Sequence, residues 1–333
     1  MWLSIFRLPS VASLEEAAAI IHRHARLDRP VADALWPAGD LLRIGFSRVE
    51  PELPMTIQEH LPDGEAPLPY LFVHARAERP KGRRFWCTAG AELRSHEERV
   101  HLAETDLLFL DRSGALHVVL FTQSKAAIAI LKGELFLPQW WGDLQEATDY
   151  HVDPDFFYWL IRTRMEREGR VGPELVVQEV SGFDGHTATD VHRMKGKGDR
   201  IYEMLSTMGF LFANDPLDAL TLEVLHGTES LTFHYNRAGG AALSELQYRG
   251  RYVGGAIGER RKAAIVAYLY LKLLPELLQQ HAAASRDWTP AVRSTFVRRV
   301  GREMVYRIAQ QLGWDRRRQL AELLDEATEA DQA

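Results

Sequence analysis

Four polar side chains stand at the ends of two short apolar runs in the first half of the chain. Glu104 and Asp106 precede the first run, and Gln123 and Lys125 follow the second. Side chains alternate between the two faces of a strand, so each pair lies on one face. If the runs pair as a hairpin, two carboxylates, an amide oxygen and an ammonium group meet at one end of a sheet. Such a set could bind a divalent cation and polarise a phosphate.

The segment between the two runs supports this pairing. Residues 111–114 begin with Asp and end with Gly, and they separate the apolar residues 107–110 from 116–121. Asp at the start and Gly at the end are typical of a β-turn. We therefore predict a buried β-hairpin inside a central mixed sheet flanked by helices.

The same residues resemble the PD-(D/E)XK nuclease superfamily. Its pattern is an acid at the start of one strand, a turn, and an apolar strand that ends in acid-x-Lys. Asp106 matches the first acid and Lys125 the lysine, with Ser124 at the variable position. Gln123 stands where the family usually has an acid, as in the subgroup that includes the Mrr-type restriction enzymes. The resemblance covers residues 104–125 only.

The resemblance implies metal-assisted hydrolysis of phosphodiester bonds. Asp106 and Gln123 would hold Mg²⁺, and Lys125 would orient the attacking water and offset charge in the transition state. Glu104, or Glu16 on the first helix, would be an additional acid. Gln brings one negative charge fewer than an acid, so Mg²⁺ would bind more weakly than in the usual family site. Whether the site is active or a relic, and whether the substrate is DNA or RNA, stays open.

Clustered basic residues indicate contact with phosphate, although the chain as a whole is acidic, with a net charge of −6. The clusters fall within residues 74–86, 193–200 and 286–318. They predict an electrostatic footprint for nucleic acid, and the alternative for each cluster is a solvated surface. The side chains that we expect to contact nucleic acid are Arg83, Arg84, Lys195, Lys197, Arg293, Arg298, Arg299 and Arg302.

The remaining pattern predicts a mixed α/β protein with a helix-rich C-terminal half. Ser13 followed by Glu16 forms a capping box at the start of the first helix. A long helix over 259–284 should be bent at Pro275, and Pro290 should begin the last helix, whose apolar residues recur every four positions. The polar, glycine-containing segment 184–198 predicts a loop.

We place one domain boundary near residue 170. Residues 1–170 would form the nuclease-like α/β core, and residues 171–333 a mixed to helical domain that binds nucleic acid or a partner protein. A single cysteine, Cys87, precludes an internal disulfide and favours a reducing compartment. We expect no secretory signal and no membrane-spanning segment, and therefore a cytoplasmic protein.

Two functions are compatible with these features. The first is a Mg²⁺-dependent DNA endonuclease of restriction or phage-defence type, in which the antiviral role rests on analogy with enzymes that share the motif. The second is a non-catalytic nucleic-acid-binding or protein-interaction component of a bacterial defence system. A homodimer or a complex with a partner protein is compatible with either. Convergence of Asp106, Gln123 and Lys125 beside a basic groove would favour the first.

Overall fold

The computed structural model describes residues 1–60, 67–187, 192–250 and 257–314. The chain divides into two compact units that interleave along the sequence. The first unit comprises Met1–Val152 and Val224–Gln279, and the second comprises Asp153–Glu223 and Gln280–Ala333. This division differs from a single boundary near residue 170. Local patterns of polarity show where an element begins and ends, but they do not show that a distant segment returns to complete the first unit.

Strands and helices are mixed along the described chain. The strands are β1 (Trp2–Arg7), β2 (Leu27–Arg29), β3 (Leu42–Ser47), β4 (Gln58–His60), β5 (Leu68–Pro80), β6 (Val100–Arg112), β7 (Ala115–Leu120), β8 (Gln145–Glu146), β9 (Leu175–His186), β10 (Arg193–Lys197), β11 (Leu217–His226), β12 (Glu229–Asn236) and β13 (Ala241–Arg249). The α-helices are α1 (Leu14–Arg23), α2 (His96–Arg99), α3 (Lys125–Glu134), α4 (Pro138–Trp141), α5 (Pro154–Glu166), α6 (Leu205–Phe212), α7 (Gly258–Tyr268), α8 (Leu274–Ala284) and α9 (Pro290–Gln311). The predicted mixed α/β class is confirmed.

The first unit is built on a sheet with the strand order β12-β13-β1-β7-β6-β5-β3-β2. β4 adds to β5, and β8 adds to β1. The strand pairs of this unit whose register is defined are antiparallel. The longest pairing joins β5 to β6, in register from Tyr70 opposite Leu110 to Pro80 opposite Val100.

The predicted hairpin is confirmed as β6 and β7. Arg112 pairs with Ala115, so the loop has two residues, Ser113 and Gly114, with φ angles of 55° and 77°. Positive φ at both positions matches the twist of an antiparallel pair, and Gly adopts it without strain. The amide of Gly114 donates to Oδ1 of Asp111 at 3.0 Å, which explains the acid at the start of the turn.

One face of this sheet carries the core of the first unit. Alternate residues of β5 and β6 are fully buried and apolar, and they belong to the same cluster as residues of α1 and α3. Burying each such side chain contributes roughly 1.5–3 kcal/mol to folding. The cluster includes Leu71, Val73, Ala75, Leu107, Phe109, Ala17, Ile21, Ile130 and Leu131. The opposite face of the same strands carries the polar residues that are described below.

The long helix predicted over 259–284 is present, but it contains a π-helical turn between two α-helical segments. α7 passes into a π-helical turn at Leu269–Leu273, and α8 follows directly. Pro275 lacks an N–H and its ring clashes with the carbonyl of residue i−4, which lies in the π turn. The wider turn immediately before Pro275 accommodates the proline without ending the helix.

The second unit contains the strand order β10-β9-β11 and the helices α5, α6 and α9. The loop predicted over 184–198 is wrong for the described residues, because β9 extends to His186 and β10 pairs with it antiparallel. Two of the glycines in this segment, Gly185 and Gly196, are packing positions. A Cβ at Gly185 would meet Cζ of Phe210 at 2.4 Å, and one at Gly196 would meet Cε1 of Phe183 at 2.6 Å.

The last helix begins as predicted, because Oγ1 of Thr289 caps the amide of Val292 at 3.3 Å. The apolar stripe at every fourth residue is only partly buried. Phe296 and Val300 are buried, whereas Ile308 and Leu312 are 36% and 57% exposed. Residues spaced four apart shift by about 40° around a helix of 3.6 residues per turn, so the stripe turns away from the core along the helix.

Within the described ranges, no helix is both long and apolar enough to cross a membrane.

Gly45 on β3 should be intolerant of a side chain. Its φ is +154°, and a Cβ there would lie 2.4 Å from the carbonyl oxygen of Ala25. We expect Gly45→Ala to lower the free energy of unfolding by about 1–3 kcal/mol, because backbone on both sides would have to move. Gly82 has no heavy atom within 4 Å of the position that a Cβ would occupy, so Gly82→Ala is the control. Urea unfolding of both variants tests this, and equal stability of Gly45→Ala and Gly82→Ala would contradict it.

Candidate functional site

The four residues of the predicted nuclease site do not form one cluster of ligands. Glu104 and Asp106 share one face of β6, as strand alternation predicts. β7 ends at Leu120, however, and Lys125 is the first residue of α3, where its side chain is exposed. The lysine therefore does not extend the strand as the motif requires.

The short link between β7 and α3 explains this placement. Oγ of Ser124 accepts a hydrogen bond from the amide of Ala127 at 3.3 Å, so Ser124 is the N-cap of α3. The alanines that follow favour a helix over a strand. Gln123 lies in the link, and its side-chain amide donates to the carbonyl of Leu3 at 3.4 Å.

The carboxylate of Asp106 is held by two side chains outside the predicted set, His74 and Lys262. Its Oδ1 lies 2.9 Å from Nδ1 of His74 on β5, and its Oδ2 accepts from Nζ of Lys262 on α7 at 2.5 Å. Lys262 also donates to Oε2 of Glu259 at 2.8 Å. Asp106 is only 16% exposed, so these two partners, and not water, provide most of the compensation for its buried negative charge. The lysine beside Asp106 is thus Lys262 and not Lys125.

A second ionic pair lies next to the first because the two strands are in register. His74 is opposite Asp106, and Arg76 is opposite Glu104. Nη1 of Arg76 donates to Oε1 of Glu104 at 2.8 Å, and its Nη2 donates to Oε1 of the buried Glu78 at 2.6 Å. Directly opposed charges of opposite sign stabilise an antiparallel pair. The polar face of β5 and β6 is therefore a ladder of cross-strand ion pairs.

The contacts shift the pKa of each of these three groups toward its charged form. Burial would raise the pKa of Asp106, but the hydrogen bonds from His74 and Lys262 outweigh it and lower the pKa below its usual range. The hydrogen bond to Asp106 raises the pKa of His74, against the effect of burial. Burial would lower the pKa of Lys262, but its bonds to Asp106 and Glu259 raise it.

This arrangement does not fit the Mg²⁺ that the motif implies. Both oxygens of Asp106 are already engaged, one by the His74 imidazole and one by Lys262, and the ammonium group of Lys262 would repel a divalent ion. Glu104 is engaged by Arg76. Across the described ranges, no group of three His, Cys, Asp or Glu side chains is arranged to hold a metal ion. The relation to PD-(D/E)XK nucleases stays a prediction from the motif alone.

The roles of His74 and Lys262 in this site were not identified from the sequence. His74, Arg76 and Glu78 alternate with apolar residues at 73, 75 and 77, which is the period of a strand with one polar face. The same segment is rich in basic residues, and that composition conceals the period. Lys262 carries no comparable signal, because the contact with Asp106 arises only when α7 packs on the sheet.

The second unit contains a cavity of about 670 Å³ with a basic lining. It is formed by α5, α9 and the 3₁₀ turn Ile201–Glu203. Five arginines line it, against two glutamates. The lining residues are Arg164, Met165, Arg200, Tyr202, Glu203, Arg299, Val300, Arg302, Glu303, Tyr306 and Arg307.

Three of these arginines have acidic or carbonyl partners. Nη2 of Arg299 lies 2.7 Å from Oε1 of Glu166, and Nη1 of Arg200 lies 3.7 Å from Oε1 of Glu203. Arg307 donates to Oε1 of Glu303 at 2.8 Å and to the carbonyl of Glu203 at 2.7 Å. These pairs fix the guanidinium groups but leave the cavity with an excess of positive charge.

The other two arginines carry that excess. Arg302 is exposed and makes no ion pair with any residue that the structure describes. Cζ of Arg164 lies 5.9 Å from the centroid of the Tyr202 ring. Nε of Arg164 is buried and has no hydrogen-bond partner among the described residues. A buried donor without an acceptor costs about 1–3 kcal/mol. An anion in the cavity would provide that acceptor.

The remaining basic residues predicted to contact nucleic acid lie outside this cavity. Arg83 lies 2.5 Å from Asp33, Lys195 lies 2.7 Å from Asp184, and Arg293 lies 2.8 Å from Asp155, so these charges are compensated locally. The others are exposed: Arg84, which lies over Phe85, Lys197, and Arg298, which donates to Oγ of Ser294. The cavity contains only Arg299 and Arg302 of the predicted set.

No family model matches this chain, and no curated protein matches it. The acidic residues near the end of the sequence lie outside the described residues, as do residues 315–318; they are Glu322, Asp325, Glu326, Glu329 and Asp331.

Removal of Lys262 should destabilise the first unit. Lys262→Met leaves the mostly buried Asp106 with His74 as its only remaining cationic partner among those described, and we expect a loss of about 1–3 kcal/mol. Lys125→Met removes the exposed lysine of the predicted motif and should change stability by less than about 0.5 kcal/mol. Urea unfolding of both variants measures the difference. Equal effects would mean that Asp106 does not depend on Lys262.

The bond between His74 and Asp106 should make stability depend on pH. The raised pKa of His74 means that its contribution is fully present below the pKa of unfolded histidine, near 6.5, and is lost as pH rises through the folded pKa. We expect the difference in unfolding free energy between the wild type and His74→Gln to grow as pH falls through the raised folded pKa of His74 and to level off below about 6.5. It should shrink again at lower pH, where Asp106 takes up a proton. A pH-independent difference would contradict this linkage.

Proposed function

We propose that the second unit binds a phosphate-bearing polyanion, nucleic acid, and that it does so without cutting it. The observation that carries this proposal is the arginine-lined cavity in which Arg164 and Arg302 have no acidic partner within the described chain. The proposal corresponds to a non-catalytic nucleic-acid-binding component. Membership of a bacterial defence system rests on analogy and stays part of the proposal.

The chemistry of the cavity suits phosphate. Guanidinium groups present several N–H donors in one plane and pair with two phosphate oxygens at once. Arg299 and Arg307 are held by acids, so they are oriented before a ligand arrives. Arg302 is free to move onto the ligand, and the buried Nε of Arg164 gains an acceptor when an anion enters.

The dimensions and the aromatic residues suit a nucleotide segment. A volume of about 670 Å³ is within the range of ligand-binding cavities, about 300–1,000 Å³. Tyr306, which is 37% exposed, lies in the lining and offers a ring face beside the phosphate-binding groups, whereas Tyr202 is buried there. Stacking on such rings is tolerant of base identity, and phosphate contacts carry no sequence information. Binding should therefore be largely independent of sequence, and DNA is the polyanion to test first.

Binding is favoured over hydrolysis because of the state of Asp106. A metal-dependent nuclease needs that carboxylate open to an ion, and here His74 and Lys262 occupy both of its oxygens. The cavity in the second unit also has no described pair of free carboxylates, since Glu203 and Glu303 are engaged by Arg200 and Arg307. The role that we propose for the chain is to hold nucleic acid.

Reversal of Arg302 should weaken DNA binding more than reversal of a neighbour on the same helix. Each charge-assisted contact is worth about 1.5–3 kcal/mol, so Arg302→Glu should raise the dissociation constant roughly tenfold or more. Arg298→Glu changes the same charge on α9 outside the cavity and is the matched control. Fluorescence anisotropy with a short duplex at low and moderate salt measures both. We expect the salt slope to fall by about one for Arg302→Glu.

Three outcomes would overturn or redirect this proposal. No binding by the wild type at low salt would reject it. Equal losses in the two variants would place the contact on the open surface of α9 and not in the cavity. Cutting of the duplex in Mg²⁺ that Asp106→Asn abolishes would instead support the nuclease predicted from the motif.

A further inference from the structure

Three strands of the first unit bring a hydroxyl, an imidazole and a carboxylate into one row. Ser47 on β3 is directly opposite His74 on β5, and His74 is directly opposite Asp106 on β6. Side chains of directly opposed residues point to the same face, with Cβ atoms about 4.5–5.5 Å apart. The row is therefore a consequence of strand register and does not depend on any loop.

We propose that Ser47, His74 and Asp106 act as nucleophile, general base and positioning acid in the hydrolysis of a small carboxylic ester that carries a negative charge. This activity would reside in the first unit and is independent of nucleic-acid binding by the second. Neither the motif of residues 104–125 nor the basic clusters assigns a role to Ser47 or His74.

The hydrogen bond already formed sets the state of His74. Asp106 lies 2.9 Å from Nδ1, so the proton of the neutral imidazole is on Nδ1 and the lone pair is on Nε2. Asp106 cannot turn away, because Lys262 holds its second oxygen. No residue in the described ranges hydrogen-bonds to Nε2 of His74, whose side chain is one-third exposed. The basic nitrogen is thus oriented and accessible.

Ser47 is placed to meet that nitrogen. It is exposed, and its Oγ has no hydrogen-bond partner within the described chain. A hydroxyl on a directly opposed residue reaches the imidazole by rotation about χ1. Bonds between nucleophile and base are often long before a substrate binds and shorten in the complex.

A cavity beside the row defines the substrate class. Its volume is about 340 Å³, and Ser47, His74, Arg43 and Arg76 are among its lining residues. Arg76 is held by Glu78 and Glu104, whereas Arg43 is exposed and makes no ion pair with a described residue. Arg43 stands on the same face of β3 as Ser47. The space suits a small ester, and Arg43 provides a partner for a carboxylate or similar group on it.

The reaction would proceed in two balanced steps. Oγ of Ser47 attacks the acyl carbon while its proton passes to Nε2 of His74, and the ester C–O bond breaks as the alcohol leaves with that proton. A water molecule then attacks the acyl-serine and gives its proton to Nε2. The carboxylic acid leaves and Oγ of Ser47 regains the proton. Asp106 stays ionised throughout and stabilises the imidazolium.

The competing explanation is that the row only compensates a buried charge. Under that explanation His74 and Lys262 neutralise Asp106, and Ser47 is an ordinary surface serine. The two explanations differ in the reactivity of Ser47, since only an adjacent base makes a serine hydroxyl a strong nucleophile.

The test is covalent labelling of the full chain with a fluorophosphonate, followed by peptide mapping by mass spectrometry. The probe forms a P–O bond with an activated serine Oγ and releases fluoride. We expect the label on Ser47, its loss in Ser47→Ala, and a rate reduced at least about 100-fold in His74→Gln. Ser113→Ala, which changes an exposed serine in the turn between β6 and β7, is the matched control and should leave labelling unchanged.

A substrate pair tests the role of Arg43. Arg43→Met should reduce hydrolysis of a p-nitrophenyl ester of a dicarboxylic acid more than hydrolysis of p-nitrophenyl acetate. Absence of label on Ser47, or equal esterase activity in the wild type and Ser47→Ala, would overturn the proposal. Ser47→Ala alters only an exposed side chain, so this comparison holds even if His74→Gln does not fold.

Discussion

The buried charge of Asp106 is the constraint on which the first unit depends. A carboxylate taken out of water costs several kcal/mol unless cations and hydrogen bonds compensate it. Here compensation comes from two separate elements, because His74 belongs to β5 and Lys262 to α7. The ion pairs therefore select both the register of β5 against β6 and the position of α7 on the sheet. A slip of one residue would move Asp106 to the apolar face, where neither cation could reach it.

Register also determines which chemistry the polar face can perform. On the apolar face, the same pairing buries Leu107 and Phe109 against α1 and α3. On the other face it aligns Ser47, His74 and Asp106 across three strands. The alternation of side chains between the two faces of these strands therefore determines both the apolar core and the row of polar groups. Stability and any catalytic role cannot be varied independently at His74, whereas Ser47 lies outside the buried network and can be changed without disturbing it.

Secondary-structure elements were predicted from the sequence more accurately than the tertiary contacts between them. The hairpin of β6 and β7 and the start of the last helix at Pro290 were both predicted, because turn and cap residues act within a few positions of the chain. The lysine that pairs with Asp106 was not predicted. Lys125 lies close to Asp106 in the sequence, but the lysine that contacts it in the fold is Lys262. The loop predicted over 184–198 failed for a related reason: its glycines make room for aromatic rings from other elements.

Formal charge is a poor guide to where this protein can bind an anion. The chain has 40 basic and 46 acidic residues, yet charge is distributed unequally after folding. In the first unit, Arg76 and Lys262 are each held by two acids, so they stabilise the fold and are not available to a ligand. In the second unit, Arg164 and Arg302 enter a cavity without an acid of their own in the described chain. What distinguishes a structural arginine from a binding arginine is the location of the nearest acid, and only the folded chain defines that location.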